Sequence, residues 1–362
     1  MSLTFSIYFI FLSFLMTFSG IDFYAVKQKK TIQVAFFAAG FFLLFIGAFR
    51  YENNADWHPY EVIFNNIANT GDIFLGIEFG FGALCLFFGT YGNFRLMIFF
   101  MAIFSIGYKL KFLKDESKCP FLSLLIYFTS IYIGSDFVNI RQGMALGFSL
   151  IAFNYAFKNK FLPFLITAAC AFSLHYSAII IFPFYFLIKI KLTKIKIIVL
   201  LLTSFIVSFS IYPLIGILAN ALSIAYLKEK FLLYSFSGVG TIEIILQVFA
   251  ISIVKIPVII FYCQNKKILL TNKKDQMFFD LYVWGYVAVL ACSQASATLV
   301  RFATYFEIYE LILIPNITAI IKKRERFIFC ILFVLYMIIA LYRNCLGVAA
   351  DYPYRINFNI FK

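Results

Sequence analysis

Charge is what this sequence has least of. Asp, Glu, Lys and Arg make up 13% of the 362 residues, about half their share in ordinary globular domains. Apolar residues take 63% and aromatic ones 21%. No soluble fold could hide that much apolar surface, so lipid is the solvent for most of it. Acids are scarcer than bases, 17 against 31, and the net charge is +14. On a soluble protein that excess would point to nucleic acid. Here the cytoplasmic bias of basic loops and the attraction of anionic lipid account for it, and no nucleic-acid partner is expected. Histidine occurs only twice, at His58 and His175, with no HExxH. The seven cysteines (Cys85, Cys119, Cys170, Cys263, Cys292, Cys330, Cys345) stand apart without a CxxC pair. They read as small apolar residues in helices, and neither a metal site nor a cofactor is expected. The roughly ten-residue alternating segments of a β-barrel are absent, as is any polar block large enough for a soluble domain. Residues 2–21 lack a basic n-region and a small-residue cleavage site, so they are expected to be a retained first helix.

What is present is a series of apolar runs. After 2–21 they lie at 31–49 and at about 94–112, 120–137, 140–157, 161–176, 177–190, 197–217, 241–262, 277–298, 302–321 and 327–345. The pattern predicts an all-α polytopic membrane protein with one transmembrane domain over 1–362 and about 12 crossings, in a range of about 11–13. Six basic clusters fall at alternate connections, at 27–30, 109–118, 158–160, 189–196, 266–274 and 322–326, and hold 21 of the 31 Lys and Arg. Placing all six in the cytoplasm satisfies the positive-inside rule. It requires that the glycine-rich segment 73–92, interrupted by Glu78, be re-entrant or interfacial on the outer side. Outer loops are then expected at 50–72 and 219–240, the latter with Tyr226 and Tyr234, as an amphipathic helix on the outer leaflet or a lid. Both chain ends lie outside.

Lysine and arginine do not partition alike. Of 23 lysines 19 sit in the six clusters, whereas of 8 arginines only Arg324 and Arg326 do. Arg50, Arg95, Arg141, Arg301, Arg343 and Arg355 map to the outer face. A topology signal is indifferent to the kind of cation, while the planar, always-charged arginine fork suits phosphate and carboxylate. The outer arginines therefore read as chemistry and the inner lysines as topology, with Lys255 the exception, expected to snorkel inward.

The candidate residues gather on that outer face. In the first outer loop Arg50 and Asp56 flank Trp-His-Pro-Tyr, expected as a rigid aromatic turn carrying Tyr60, where a sugar ring could stack. Arg141 opens the run 140–157 with Gln142 beside it, and His175 closes the run 161–176. With the Lys158–Lys160 turn inside, both return to one face, and ionisable groups there are a functional-site hypothesis. Asp136 could pair with Arg141 or act as a base. Arg301 precedes Tyr305 and Tyr309 at helical spacing, which predicts one cation and two phenols on a single stripe. Tyr352-Pro353-Tyr354-Arg355 ends the chain outside.

These motifs carry a resemblance. Arg50, Asp56 and Tyr60 form an Arg-x5-Asp-x3-Tyr loop after the second run. Arg141, Gln142 and Ala145 form an Ile-Arg-Gln-x-x-Ala helix start, and Ser173, His175 and Ser177 a Ser-x-His-x-Ser end. With the Arg301–Tyr305 helix and a C-terminal Pro-Tyr pair, the chain resembles the EpsG-like branch of Wzy-type O-antigen and exopolysaccharide polymerases. It differs in having Asn54-Ala55-Asp56 where that family more often has a glycine near the Asp.

The resemblance implies a metal-independent glycosyltransferase of the bacterial inner membrane, working at the periplasmic face. The growing glycan would pass from undecaprenyl diphosphate to the non-reducing end of a new repeat unit. Its partners would be the undecaprenyl-diphosphate-linked oligosaccharide, membrane lipid and a chain-length regulator. Diphosphate is a good leaving group, so the main need is to stabilise negative charge, which fixed arginines supply. Arg141 and Arg301, then Arg50, are the candidates, with Tyr60, Tyr305 and Gln142 lining the substrate. The acceptor hydroxyl needs a base, and His175 and Asp56 both qualify. The alternatives are another polyprenyl-linked-sugar glycosyltransferase or a lipid-linked oligosaccharide flippase. The first often shows paired acids and a soluble outer domain. The second needs cations through the depth of a cavity, often with repeated halves; here they gather at one face.

Overall fold

The computed structural model describes residues 10–18, 29–52, 54–73, 77–221, 241–292 and 301–318, scattered positions between 320 and 342, and 355–358. Residues 222–240 of the second outer loop, 293–300 ahead of Arg301, most of the basic cluster 322–326, and Arg343 and Tyr352 to Tyr354 lie outside the described residues. Among those described, all regular structure is helical except one antiparallel pair of two-residue strands, β1 (Arg50–Tyr51) and β2 (Arg355–Ile356). The chain forms two compact units, residues 1–182 with 314–362, and residues 183–313.

The first unit holds α1 (Lys29–Ala48), β1, α2 (Trp57–Thr70), α3 (Phe79–Tyr91), α4 (Phe94–Glu116), α5 (Pro120–Ile126), a π-helical continuation Tyr127–Val138, α6 (Ile140–Phe157) and α7 (Phe161–Leu174). Residues 176–187 follow as a 3₁₀ turn (Tyr176–Ile180) and α8 (Ile181–Leu187). The expected hairpin is present: α6 packs along α7, and the turn between them puts Asn159 in the left-handed region at φ 56°. Asn93 starts α4 by accepting from the Leu96 amide at 2.9 Å, and Pro120 restarts the chain as α5, where its missing N–H costs nothing. The second unit holds α9 (Lys194–Ala221), α10 (Thr241–Gln264), α11 (Lys266–Leu269) and α12 (Lys273–Cys292), with α9 and α10 packed on α12. A 3₁₀ turn Arg301–Ala303 leads to α13 (Thr304–Glu307) and α14 (Glu310–Thr318). The expected single helix over 302–321 is thus interrupted at Ile308 and Tyr309.

The surfaces are inside out for water and right for lipid. On α1, Val34, Phe37 and Phe41 face outward at helical spacing. On α9, Ile198, Leu202, Phe205 and Ile206 are exposed while Ser204 and Ser208 are buried. On α10, Phe249, Ile253, Ile256 and Ile260 are exposed while Lys255 is buried. Polar groups inside and apolar ones outside mark a membrane protein. Among the described residues α4 (23 residues) and the continuous helix Pro120–Val138 (19 residues) are each long and apolar enough to cross a bilayer. The 13-residue α3 is about 20 Å long, short of the roughly 30 Å hydrocarbon core.

Two expectations change here. Trp57-His58-Pro59-Tyr60 is not a turn but the first turn of α2, which follows Asp56 at the N-cap position, and a proline that early loses no helical hydrogen bond. Trp57, Tyr60, Phe64 and Ile67 line its buried face, and Gly71 ends it at φ 73°. Lys109 does not belong to a cytoplasmic loop. It lies within α4 with its side chain wholly buried, since a carboxylate waits for it inside the unit.

Candidate active site

Three segments bring the sequence candidates of the first unit together. Asn54, ahead of α2, accepts from the Asp56 amide at 3.0 Å and donates from Nδ2 to the Phe137 carbonyl at 3.1 Å. This ties the start of α2 to the end of the π segment. Asp56 is half-buried and its carboxylate makes no capping bond to α2. Tyr60 lies one turn further on, its amide bonded to the Asp56 carbonyl at 3.1 Å. Burial raises the Tyr60 phenol above its ordinary pKa, with Arg141 acting against that shift.

Arg141 occupies the first turn of α6. Its guanidinium carbon lies 5.1 Å from the centroid of the Tyr60 ring and 5.3 Å from that of Phe81. Its Nη1 donates to the Glu78 carboxylate, which is 7% exposed against 23% for the arginine side chain. The other Glu78 oxygen accepts from the Tyr176 amide at 3.4 Å, and the Tyr176 hydroxyl donates to the Ile77 carbonyl at 3.1 Å. Glu78 therefore links the start of α3 to the start of α6 and to the end of α7. The Arg141 Nε is buried with no hydrogen-bond partner among the described residues. A cation with an unused donor at a helix N-terminus is suited to hold an anion.

His175 ends α7 in an extended conformation and is half-buried. Its Nδ1 accepts from the Ser177 amide at 3.2 Å and lies 2.7 Å from the Ser177 hydroxyl. An amide can only donate, so Nδ1 is the bare nitrogen and the neutral ring carries its proton on Nε2. His175 in this state is a donor at Nε2 and has no free basic nitrogen.

The chain matches the EpsG family over residues 33–356. It belongs to that family. No curated protein and no solved structure matches it.

In this EpsG-family chain the remaining candidates are placed as follows. Arg50 is 4% exposed. Its Nη1 donates to the Gly47 carbonyl at 2.8 Å and the Asp136 carbonyl at 3.0 Å, and its guanidinium lies 5.2 Å from the Phe137 ring centroid. Gln142 is buried in the first turn of α6. Arg355 returns through β2 to pair with Glu52 at 3.1 Å, which puts the C-terminal end beside the first outer segment. Arg301 and Tyr305 lie in the second unit. There Arg301 is exposed while Tyr305 and Tyr309 are buried. They do not form one stripe, because a 3₁₀ turn and the interruption at Ile308 break the helical spacing.

The carboxylate partners of three cations were missed or mispaired from sequence. Glu78, rather than Asp136, pairs with Arg141. Asp136 takes Lys109 at 2.5 Å. Lys255 does not snorkel: its ammonium meets Glu307 at 3.3 Å and Glu310 at 3.1 Å. The available signal was an acid inside an apolar run, which describes Glu78 and Asp136 alike.

Proposed function

We propose that this protein is a polymerase of lipid-linked saccharide repeat units. It transfers the growing glycan from undecaprenyl diphosphate to the non-reducing end of a new unit at the periplasmic face of the bacterial inner membrane. About twelve crossings carry it, with 73–92 re-entrant on the outer side. Family membership supports a polysaccharide polymerase-like role. The observation that carries the finer reading is Arg141: a guanidinium held by Glu78, stacked on Tyr60, with an Nε that has no partner among the described residues, at the N-terminus of an 18-residue helix.

In the reaction the acceptor hydroxyl oxygen forms a bond to the anomeric carbon of the donor glycan as the bond from that carbon to the diphosphate breaks. The diphosphate leaves with the electron pair, and Arg141 takes up its growing charge in a partly dry site, where such an interaction is strong. The hydroxyl proton goes to a carboxylate. Asp56 suits this better than His175, because its carboxylate is not used as a cap whereas His175 Nδ1 is occupied by Ser177. His175 then donates from Nε2 to a substrate oxygen. Tyr60 and Gln142 line the substrate and Arg50 fixes the main chain beside it; Arg301 and Tyr305 are further candidates for substrate binding.

The test deletes the gene in its host and displays the surface polysaccharide on a gel. Complementation uses wild type, Arg141→Ala and Asp56→Asn at matched expression. Collapse of the ladder to a single repeat, restored by wild type and by neither variant, is the expected result. A full ladder in the deletion strain would overturn the polymerase reading. Loss of even the single repeat would move the protein to a ligase, flippase or assembly transferase.

A further inference from the structure

Behind Arg50 and Arg141 lies an ion pair with no access to solvent. Lys109 and Asp136 are both 0% exposed, with Nζ and Oδ1 2.5 Å apart. Asp136 also accepts from the Ser105 hydroxyl and from the Tyr127 hydroxyl at 2.7 Å. Lys109 donates further to the Ser105 hydroxyl and to the Gly143 carbonyl, each at 2.8 Å. All three ammonium protons are used, so the pair has nothing left to offer a ligand. Apolar side chains at such a depth would serve stability as well or better.

What the pair joins is more informative than what it stabilises. Asp136 closes a π segment of 12 residues, far beyond the single turn in which π geometry usually occurs, and such geometry concentrates at functional sites. The main-chain carbonyl of Asp136 receives Arg50, and that of Phe137 receives Asn54. Gly143, two residues after Arg141, gives its carbonyl to Lys109. It also packs so close that an added Cβ would lie 2.5 Å from the Ser135 carbonyl. One ion pair thus binds α4, the π segment and the first turn of α6, the elements that carry or hold Arg50, Asn54 and Arg141.

We infer that Lys109 and Asp136 are positioning residues for the glycosyl transfer, holding the π segment against α6 so that Arg141 and the Asn54–Asp56 segment keep their geometry. The inference rests on the polymerase reading above. Displacing a reacting group by about 1 Å can cost on the order of 10²-fold in rate while leaving binding nearly intact.

The experiment uses the purified full chain in nanodiscs and the lipid-linked repeat unit extracted from the deletion strain. The variants are Lys109→Met/Asp136→Leu, which removes both charges together, Tyr127→Phe, which removes one bond to Asp136, and Arg141→Ala. The double variant is expected to fold, with a lower unfolding temperature because the Ser105 and Tyr127 hydroxyls and the Gly143 carbonyl lose partners. It should keep its apparent KM within about threefold while its turnover falls by about tenfold or more. Tyr127→Phe should show a smaller loss of the same kind. Wild-type turnover in the folded double variant overturns the inference. So does a loss that only tracks the folded fraction, or one confined to KM. If the double variant does not fold, wild-type turnover in Tyr127→Phe overturns it and a kcat-only loss supports it. Arg141→Ala separates the two readings: if it polymerises normally the site assignment itself fails. If it is inactive while the pair variants are fully active, only the positioning role fails.

Discussion

Replacing Arg141 by lysine keeps the charge and removes the fork. In the protein Nη1 is bound to Glu78, Nε is buried with no hydrogen-bond partner among the described residues, and the planar fork keeps the Nη2 protons as further donors for a phosphate oxygen. A lysine ammonium is a single point of donation on a flexible stem. Because the Glu78 carboxylate is 7% exposed, it would claim that ammonium, and the bond toward the diphosphate would be lost or made in poor geometry. A hydrogen bond to a charged group is worth about 1.5–3 kcal/mol, and about 1.36 kcal/mol is a factor of ten in rate. Arg141→Lys should therefore lower kcat/KM by about 10- to 150-fold while the protein folds normally. Arg141→Ala, which also strands a buried carboxylate, should fall further and unfold at a lower temperature. The assay is turnover of extracted lipid-linked repeat unit in nanodiscs, with thermal unfolding alongside. A lysine variant within threefold of wild type would refute the argument, since a point charge would then suffice.

Glu78→Gln keeps the size and the acceptor for the Tyr176 amide but leaves Arg141 without its counter-ion. Because the arginine remains 23% exposed, stability should fall by about 1–3 kcal/mol, less than for a wholly buried pair, and thermal unfolding in detergent will read it. Tyr60 has a phenol raised above 10.0 by burial. A raised folded pKa means that its contribution is complete below the unfolded value near pH 10 and is lost as pH rises through the folded one. Wild type should lose stability on going from about pH 9 to pH 11, and Tyr60→Phe should lose less over the same range; equal losses would remove Tyr60 from the account. Gly143→Ala puts a methyl 2.5 Å from the Ser135 carbonyl and 2.8 Å from Asp136 Oδ1. It should cost about 1–3 kcal/mol and reduce turnover, whereas Gly107→Ala, which meets nothing within 4 Å, should do neither.

Much of the fold was legible because apolar runs in a lipid solvent leave few choices. The hairpin at 140–174 follows from two such runs around Lys158 and Lys160, and the site follows in part, since Arg141 and the end of α7 both reach Glu78. What could not be read is how the chain departs from ideal helix. The sequence Tyr127 to Val138 is apolar enough for any helical form. The partners that its buried end meets, Lys109, Ser105 and Gly143, come from other segments. The interruption at Ile308 and Tyr309 likewise has no proline or glycine to announce it, and the Phe306 just before it packs against Gly285 of α12. Trp57 to Tyr60 was misread for a different reason: Pro59 looks like a turn former, yet in the first turn of a helix its missing N–H costs nothing.

The partition of arginine outside and lysine inside led to Arg141 but passed over Lys109 and Lys255, and the reason is physical. A cation at a membrane surface needs only water and is free to be a topology signal. A cation held at depth needs a carboxylate or main-chain carbonyls at the same depth, whatever its own type. Among the described residues three cations drawn away from water have a carboxylate: Glu78 for the half-buried Arg141, Asp136 for Lys109, Glu307 and Glu310 for Lys255. Arg50, also buried, donates to two main-chain carbonyls. The scarcer sign therefore carries more information. With 17 acids against 31 bases, most bases can be explained by topology, whereas an acid inside an apolar run has no topological use and must face a cation or a reacting group. Glu78 and Asp136 meet that criterion in the first unit, and they are the two carboxylates that hold the arginine site and the ion pair behind it.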